Sequence, residues 1–133
     1  MDIEKLINKA FDAQMNSYSP YSGCKVGAAL LCENGNVYCG CNIENASYSP
    51  TVCAERVAFF NAISNGEKDF SAIAIVGNNG KDDYFYPCGV CRQVMNEFCN
   101  NDFIIIVAKN KKDYKTYKLS ELLPYGFNKE DVI

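Results

Sequence analysis

Two runs without a polar residue, AIAIVG at 72–77 and FIIIVA at 103–108, constrain the fold of this chain more than anything else in it. Both are rich in β-branched residues and far too short to span a bilayer, so they read as strands buried on both faces. A strand covered on both faces needs helices on either side. Between the runs, Pro87 stands where the helical stretch CGVCRQVMNEFC would begin. Before them, a helix is expected from about Thr51 to Asn65, with Val57, Ala58 and Ile63 apolar and Gly66 capping its end. Strand, helix, strand, helix, strand through the middle of the chain predicts parallel strands with right-handed crossovers.

The remaining segments complete one domain over residues 1–133. Ile3, Leu6, Ile7, Ala10 and Phe11 fall at helical spacing and predict a first helix that stops by SYSPYSG. KVGAALLC and VYCGCN flank ENGN, a hairpin signal centred on Asn34-Gly35. YKTYKL reads as an edge strand, and Ser120 is expected to cap a short turn, ELLP. The fold class expected is α/β: a three-layer α/β/α domain around a mixed five-stranded sheet.

Composition narrows the function. The net charge of −3 gives no broad basic surface, which argues against a polynucleotide partner, and no stretch argues for a membrane. MDIEKL has neither the basic nor the apolar region of a secretion signal, so the eight cysteines read as reduced thiols and metal ligands in the cytoplasm, not as a disulfide scaffold. The chain has no histidine, so any metal must be held by sulfur or carboxylate.

Two expected helices start with cysteine: Cys53 leads one, and Cys88 with Cys91 leads the other in PCGVC. A Cys-x-x-C at a helix start turns both sulfurs to one face, and helix N-termini favour thiolates. A lone Cys-x-x-C is a weak signal; a third cysteine at a matching helix start favours a metal. The only two arginines, Arg56 and Arg92, lie close to these cysteines, against eleven lysines. Three thiolates on Zn²⁺ carry a net −1, which Arg56 is expected to balance; for Arg92 a solvated helix position is nearly as good a reading. Glu55, two residues after Cys53, is placed to carry protons at an open coordination position. Asn42 and Glu44 in NIEN point the same way in extended chain and suit adjacent sugar hydroxyls, while Asn45 reads as capping its own loop.

The order C-A-E … P-C-x-x-C is the zinc-dependent deaminase signature in its all-cysteine form. PYSGCKVGAALL, GCNIENASYSPTVCAER, PCGVCRQV and ELLPYGF resemble the motifs of the small cytidine deaminases in order and spacing along nearly the whole chain. The resemblance implies one zinc per chain on Cys53, Cys88 and Cys91, with Glu55 as general acid/base. It implies a nucleoside substrate bound by Asn42, Glu44 and Ala54, and a homotetramer in which Ala46, Tyr48 and Phe127 reach a neighbour's site. Cytidine or deoxycytidine would become uridine or deoxyuridine, with ammonia released.

One position departs from that family. Its pattern places a phenylalanine where this chain has Cys24, which opens room for a modified cytidine or a blasticidin-type nucleoside; Tyr86, also unusual before the Pro-Cys pair, could fill part of that space. Two further alternatives stay open on the residues alone. One is a closed four-cysteine zinc module recruiting Cys24, Cys39, Cys41 or Cys99; the other is a thiol–disulfide protein built on CGVC.

Overall fold

The computed structural model describes residues 1–132. Helix α1 (Ile3–Gln14) begins at Asp2, whose carboxylate accepts the Lys5 N–H at 3.1 Å. Strands β1 (Lys25–Cys32) and β2 (Val37–Cys41) form the expected hairpin. Helix α2 (Ala54–Ser64), β3 (Phe70–Asn78), α3 (Gly89–Phe98), β4 (Ile104–Ala108) and β5 (Tyr114–Lys118) follow, with single turns of helix at α4 (Leu119–Leu122) and α5 (Lys129–Val132).

The sheet order is β2-β1-β3-β4-β5. β1 runs antiparallel to β2 and β3, β3 runs parallel to β4, and β5 pairs antiparallel at the edge. β2, β3 and β4 therefore point the same way, as expected, with β1 inserted between the first two.

Alternation along the strands sorts the core into two layers. Ala28, Leu30, Ile73, Ile75, Ile105 and Val107 face α2 and α3, where they meet Ala58, Phe59, Ala62 and Met95. Ala29, Ala72, Ala74, Val76 and Ile106 face Leu6, Ile7 and Ala10 of α1 on the other side. The result is the three-layer α/β/α arrangement with a mixed five-stranded sheet. Among the described residues no helix is long and apolar enough to cross a membrane.

Three boundaries differ from expectation. α2 starts at Ala54 rather than near Thr51, because Val52 and Ile43 exchange backbone hydrogen bonds of 3.0 Å and hold Thr51–Val52 extended. Pro87 precedes α3 by two residues, since Cys88 takes the N-cap position. Ser120 does not cap α4; it lies inside that turn, and Glu121 accepts the Lys118 N–H at 2.8 Å instead. Gly66 does follow the end of α2, with φ +90°, and Glu67 N–H returns to the Ala62 carbonyl at 3.1 Å in a Schellman pattern.

Candidate active site

The loops leaving β2 and β3 both start from the carboxyl edge of the sheet, and each ends in a cysteine at the N-cap of a helix. Cys53 takes the N-cap position of α2 without a side-chain capping bond, and Cys88 takes that of α3, both in extended conformation. Cys88 Sγ accepts the Cys91 N–H at 3.5 Å, a weak sulfur version of the bond that a serine N-cap makes. Cys91, one turn in, is fully buried. What sets the height of α2 is Gly40 of β2: a Cβ there would lie 2.5 Å from both the Ala54 carbonyl oxygen and the Ala58 nitrogen. The helix start thus rests directly on bare backbone.

The three sulfurs all lie within 4.8 Å of one another. Cys53 Sγ and Cys88 Sγ are 3.7 Å apart, and a tetrahedral zinc with Zn–S bonds of about 2.3 Å places its sulfurs about 3.8 Å apart. The donor set and its spacing fit zinc. Among the described residues no fourth cysteine or carboxylate completes the group. Of the cysteines named in the closed-module alternative, none joins the group: Cys39 Sγ donates to the Lys9 carbonyl at 3.8 Å, Cys41 ends β2, and Cys99 packs against the core at the C-terminal end of α3. Cys24 lies on the wall of the adjoining cleft. CGVC shares its sulfurs with Cys53, which a dithiol redox centre would not need.

Charge is distributed accordingly. The Cys53 thiol is pushed down to about 5, chiefly by a hydrogen bond from Cys91 and also by Arg56, whose Nη2 donates to its Sγ at 3.5 Å. Donating to Cys53 and buried, the Cys91 thiol is pushed up. Arg92 is part-buried rather than a free solvated residue, and it bonds backbone carbonyls. Its Nε donates to the Pro87 carbonyl at 2.7 Å and its Nη1 to the Leu122 carbonyl at 2.6 Å, so it ties α4 to the start of α3. The Glu55 side chain is buried beside the sulfurs, and burial pushes its carboxyl up to about 7.

A cleft of about 260 Å³ opens onto this group and is lined by Glu55, Cys53, Cys88, Ala54, Asn42, Glu44 and Cys24, among others. Asn42 is buried and heavily engaged: its Oδ1 accepts from the Ser17 hydroxyl and from Val26 N–H at 2.9 Å, and its Nδ2 donates to the Cys24 carbonyl at 2.7 Å. One N–H of the amide is left for a ligand. Glu44 accepts from the Ser22 hydroxyl and from the Tyr21 and Ser22 amides, and the Ser22 hydroxyl above all holds its carboxyl below the usual carboxylate range. Asn45 caps its own loop through Ser47 N–H at 2.9 Å.

Ala46, Tyr48 and Phe127 do not join this cleft. Tyr48 is 77% exposed beside Tyr21, and Phe127 is 59% exposed while its carbonyl is held by Gln93 and Asn96. Tyr86 stands at the rim, its hydroxyl 2.9 Å from that of Tyr117. Sequence reasoning missed Ser17 and Ser22, which brace Asn42 and Glu44, and also Phe85, which lines the cleft. The serines carried a faint signal, as hydroxyls clustered in SYSPYS; Phe85 carried none beyond its place two residues before the Pro-Cys pair.

Residues 1–107 match the family model of the cytidine and deoxycytidylate deaminase zinc-binding region. The cytidine deaminase of Sporosarcina psychrophila is 48% identical over 132 residues, covering 99% of this chain and 96% of that protein. The crystal structure of cytidine deaminase from Burkholderia pseudomallei superposes with a TM-score of 0.85 at 42% identity, over 92% of this chain and 97% of that one. The blasticidin-S deaminase of Bacillus cereus is 34% identical over 110 residues, 78% of this chain and 77% of its own length. The likeness thus extends from the three-sulfur group to the whole length of the fold, and the chain belongs to the cytidine and deoxycytidylate deaminase family of zinc-dependent hydrolases.

Proposed function

We propose that the protein hydrolyses the exocyclic amine of cytidine and deoxycytidine, giving uridine or deoxyuridine and ammonia, as a cytoplasmic enzyme of pyrimidine salvage. The observation that carries this reading is a buried Glu55 carboxyl in the same cleft as a three-sulfur group with tetrahedral spacing. Cys53, Cys88 and Cys91 hold the zinc. Bound there, zinc supplies a Lewis acid that brings the pKa of water down towards about 7.

The proton traffic belongs to Glu55. Its carboxylate takes one proton from the attacking water and passes it to the ring nitrogen beside the amine-bearing carbon, while the water oxygen bonds to that carbon. It then takes the second proton of the same water and delivers it to the amine nitrogen. The carbon–nitrogen bond breaks, ammonia leaves, and a carbonyl remains. A carboxyl lifted by burial towards neutrality can both accept and donate. Asn42 and Glu44 orient the sugar, and Ala54 borders the base. Arg56 offsets the negative charge of the thiolates.

The protein assembles as a homotetramer in which Ala46, Tyr48 and Phe127 of one chain complete the cleft of another. Supporting this, Tyr48 and Phe127 are exposed apolar side chains outside their own chain's cleft. The test combines zinc quantification with ammonia release from cytidine, deoxycytidine and a blasticidin-type nucleoside. Glu55→Ala is expected to keep one zinc per chain and lose about 10²–10⁴-fold or more in turnover. Near-normal turnover in that variant would sink the assignment, and release from the blasticidin-type nucleoside alone would change the substrate.

A further inference from the structure

Phe85 sits in a place built for a ring. A Cβ on Gly77 would lie 2.3 Å from its Cγ and 2.4 and 2.5 Å from its two Cδ atoms, so any side chain at 77 would occupy the ring's own position. Gly77 ends the inward face of β3, and its partner across the ladder is Val26, two residues beyond Cys24. Phe85, Val26 and Cys24 line the same cleft as Glu55.

The neighbours of Phe85 hold it there. The Tyr84 hydroxyl donates to Asp113, and the ammonium groups of Lys109 and Lys115 lie 4.8 and 4.7 Å from its ring centroid. The Tyr86 ring meets Tyr117 edge-on at 5.7 Å, with the two hydroxyls 2.9 Å apart. Both tyrosines are thus tied to the β4–β5 hairpin, and the ring between them lies over Gly77. Cys24 offers the cleft a thiol and no flat face, whereas Phe85 offers a ring already fixed before any ligand arrives.

We propose that Phe85 is the specificity-determining wall of this cleft, the face on which the substrate's pyrimidine ring packs, held in position by the side-chain-free backbone of Gly77. This rests on the deaminase reading given above. It gives the room opened by Cys24 to Phe85 rather than to Tyr86, and it favours a planar six-membered ring over a bulkier base.

The test uses the zinc-loaded full-length chain. In Phe85→Ala the KM for cytidine is expected to rise at least about tenfold, with kcat within about threefold and uridine binding weakened in parallel by calorimetry. Phe85→Leu keeps apolar volume without an aromatic face, so it retains the fold and shows the same sign. Cys24→Phe alone crowds the cleft and raises KM, whereas Cys24→Phe in the Phe85→Ala background brings KM back to within about threefold of wild type. A KM within about twofold of wild type in both Phe85 variants overturns the proposal. A tighter KM in Cys24→Phe alone also overturns it, because the base would then have lacked a wall. A zinc-loaded wild-type chain that releases no ammonia overturns the deaminase reading instead; uridine binding to wild type and Phe85→Ala still reads the wall in that case.

Discussion

Arg56 joins two demands that conflict in most interiors. Its guanidinium donates from Nη2 to Cys53 Sγ at 3.5 Å, while its Nε is buried without a hydrogen-bond partner. A buried donor left unpaired costs about 1–3 kcal/mol, a cost that the charge-balancing role proposed for Arg56 would offset. Three thiolates on a divalent ion leave one negative charge in a partly desolvated pocket, and a cation fixed at hydrogen-bond distance offsets it. Arg56→Gln keeps polarity and most of the length but removes the charge. It is expected to weaken zinc retention about 10- to 100-fold in competition with a chelator, with the fold intact by circular dichroism. Zinc affinity equal to wild type would show that the sulfurs hold the ion without charge compensation.

At the scale of elements, the site depends on how closely α2 approaches the sheet. Gly40→Ala places a Cβ 2.5 Å from main-chain atoms of Ala54 and Ala58, neither of which can rotate away. The first turn of α2 must lift, carrying Cys53 and Glu55 with it. We expect a loss of about 1–3 kcal/mol in stability, with zinc content and turnover falling further than the melting temperature alone would suggest. A normally loaded, fully active Gly40→Ala chain would mean that the helix start is free to shift without harm. The same element shows what a sequence reveals and what it hides. Hydrophobic period and cap chemistry act over a few residues, so the two apolar strands, the Asn34-Gly35 hairpin and both cysteine-led helices were legible. The true start of α2 was not, because the Ile43–Val52 bridge that keeps Thr51 extended joins residues nine apart through a loop without period. The Arg92 link to Leu122 and the seat of Phe85 on Gly77 are likewise contacts between distant segments. Motif spacing brought the sulfurs and Glu55 together in advance; the braces around Asn42 and Glu44 became visible only once the chain was folded.

At the scale of the whole molecule, the proposal of shared sites has a consequence that no single-chain enzyme can imitate. Glu55 is buried within its own chain's cleft, whereas Phe127 is exposed and outside it. If Phe127 serves a neighbour, the two side chains complete one site from different chains, and a defect in each can be carried by separate subunits. A homotetramer of 14.8 kDa chains should scatter light as a particle of about 59 kDa. Glu55→Ala is then expected to be inactive and Phe127→Ala to be weakened. Co-expressed in equal amounts and assembled at random, they give sites in which about one quarter pair an intact Glu55 from one chain with an intact Phe127 from another. Turnover of the mixture should therefore approach about a quarter of wild type when measured at a cytidine concentration too low for Phe127→Ala to contribute. A mixture that shows only the average of its two parents would place Phe127 outside any neighbour's site, even if the particle still weighs as four chains.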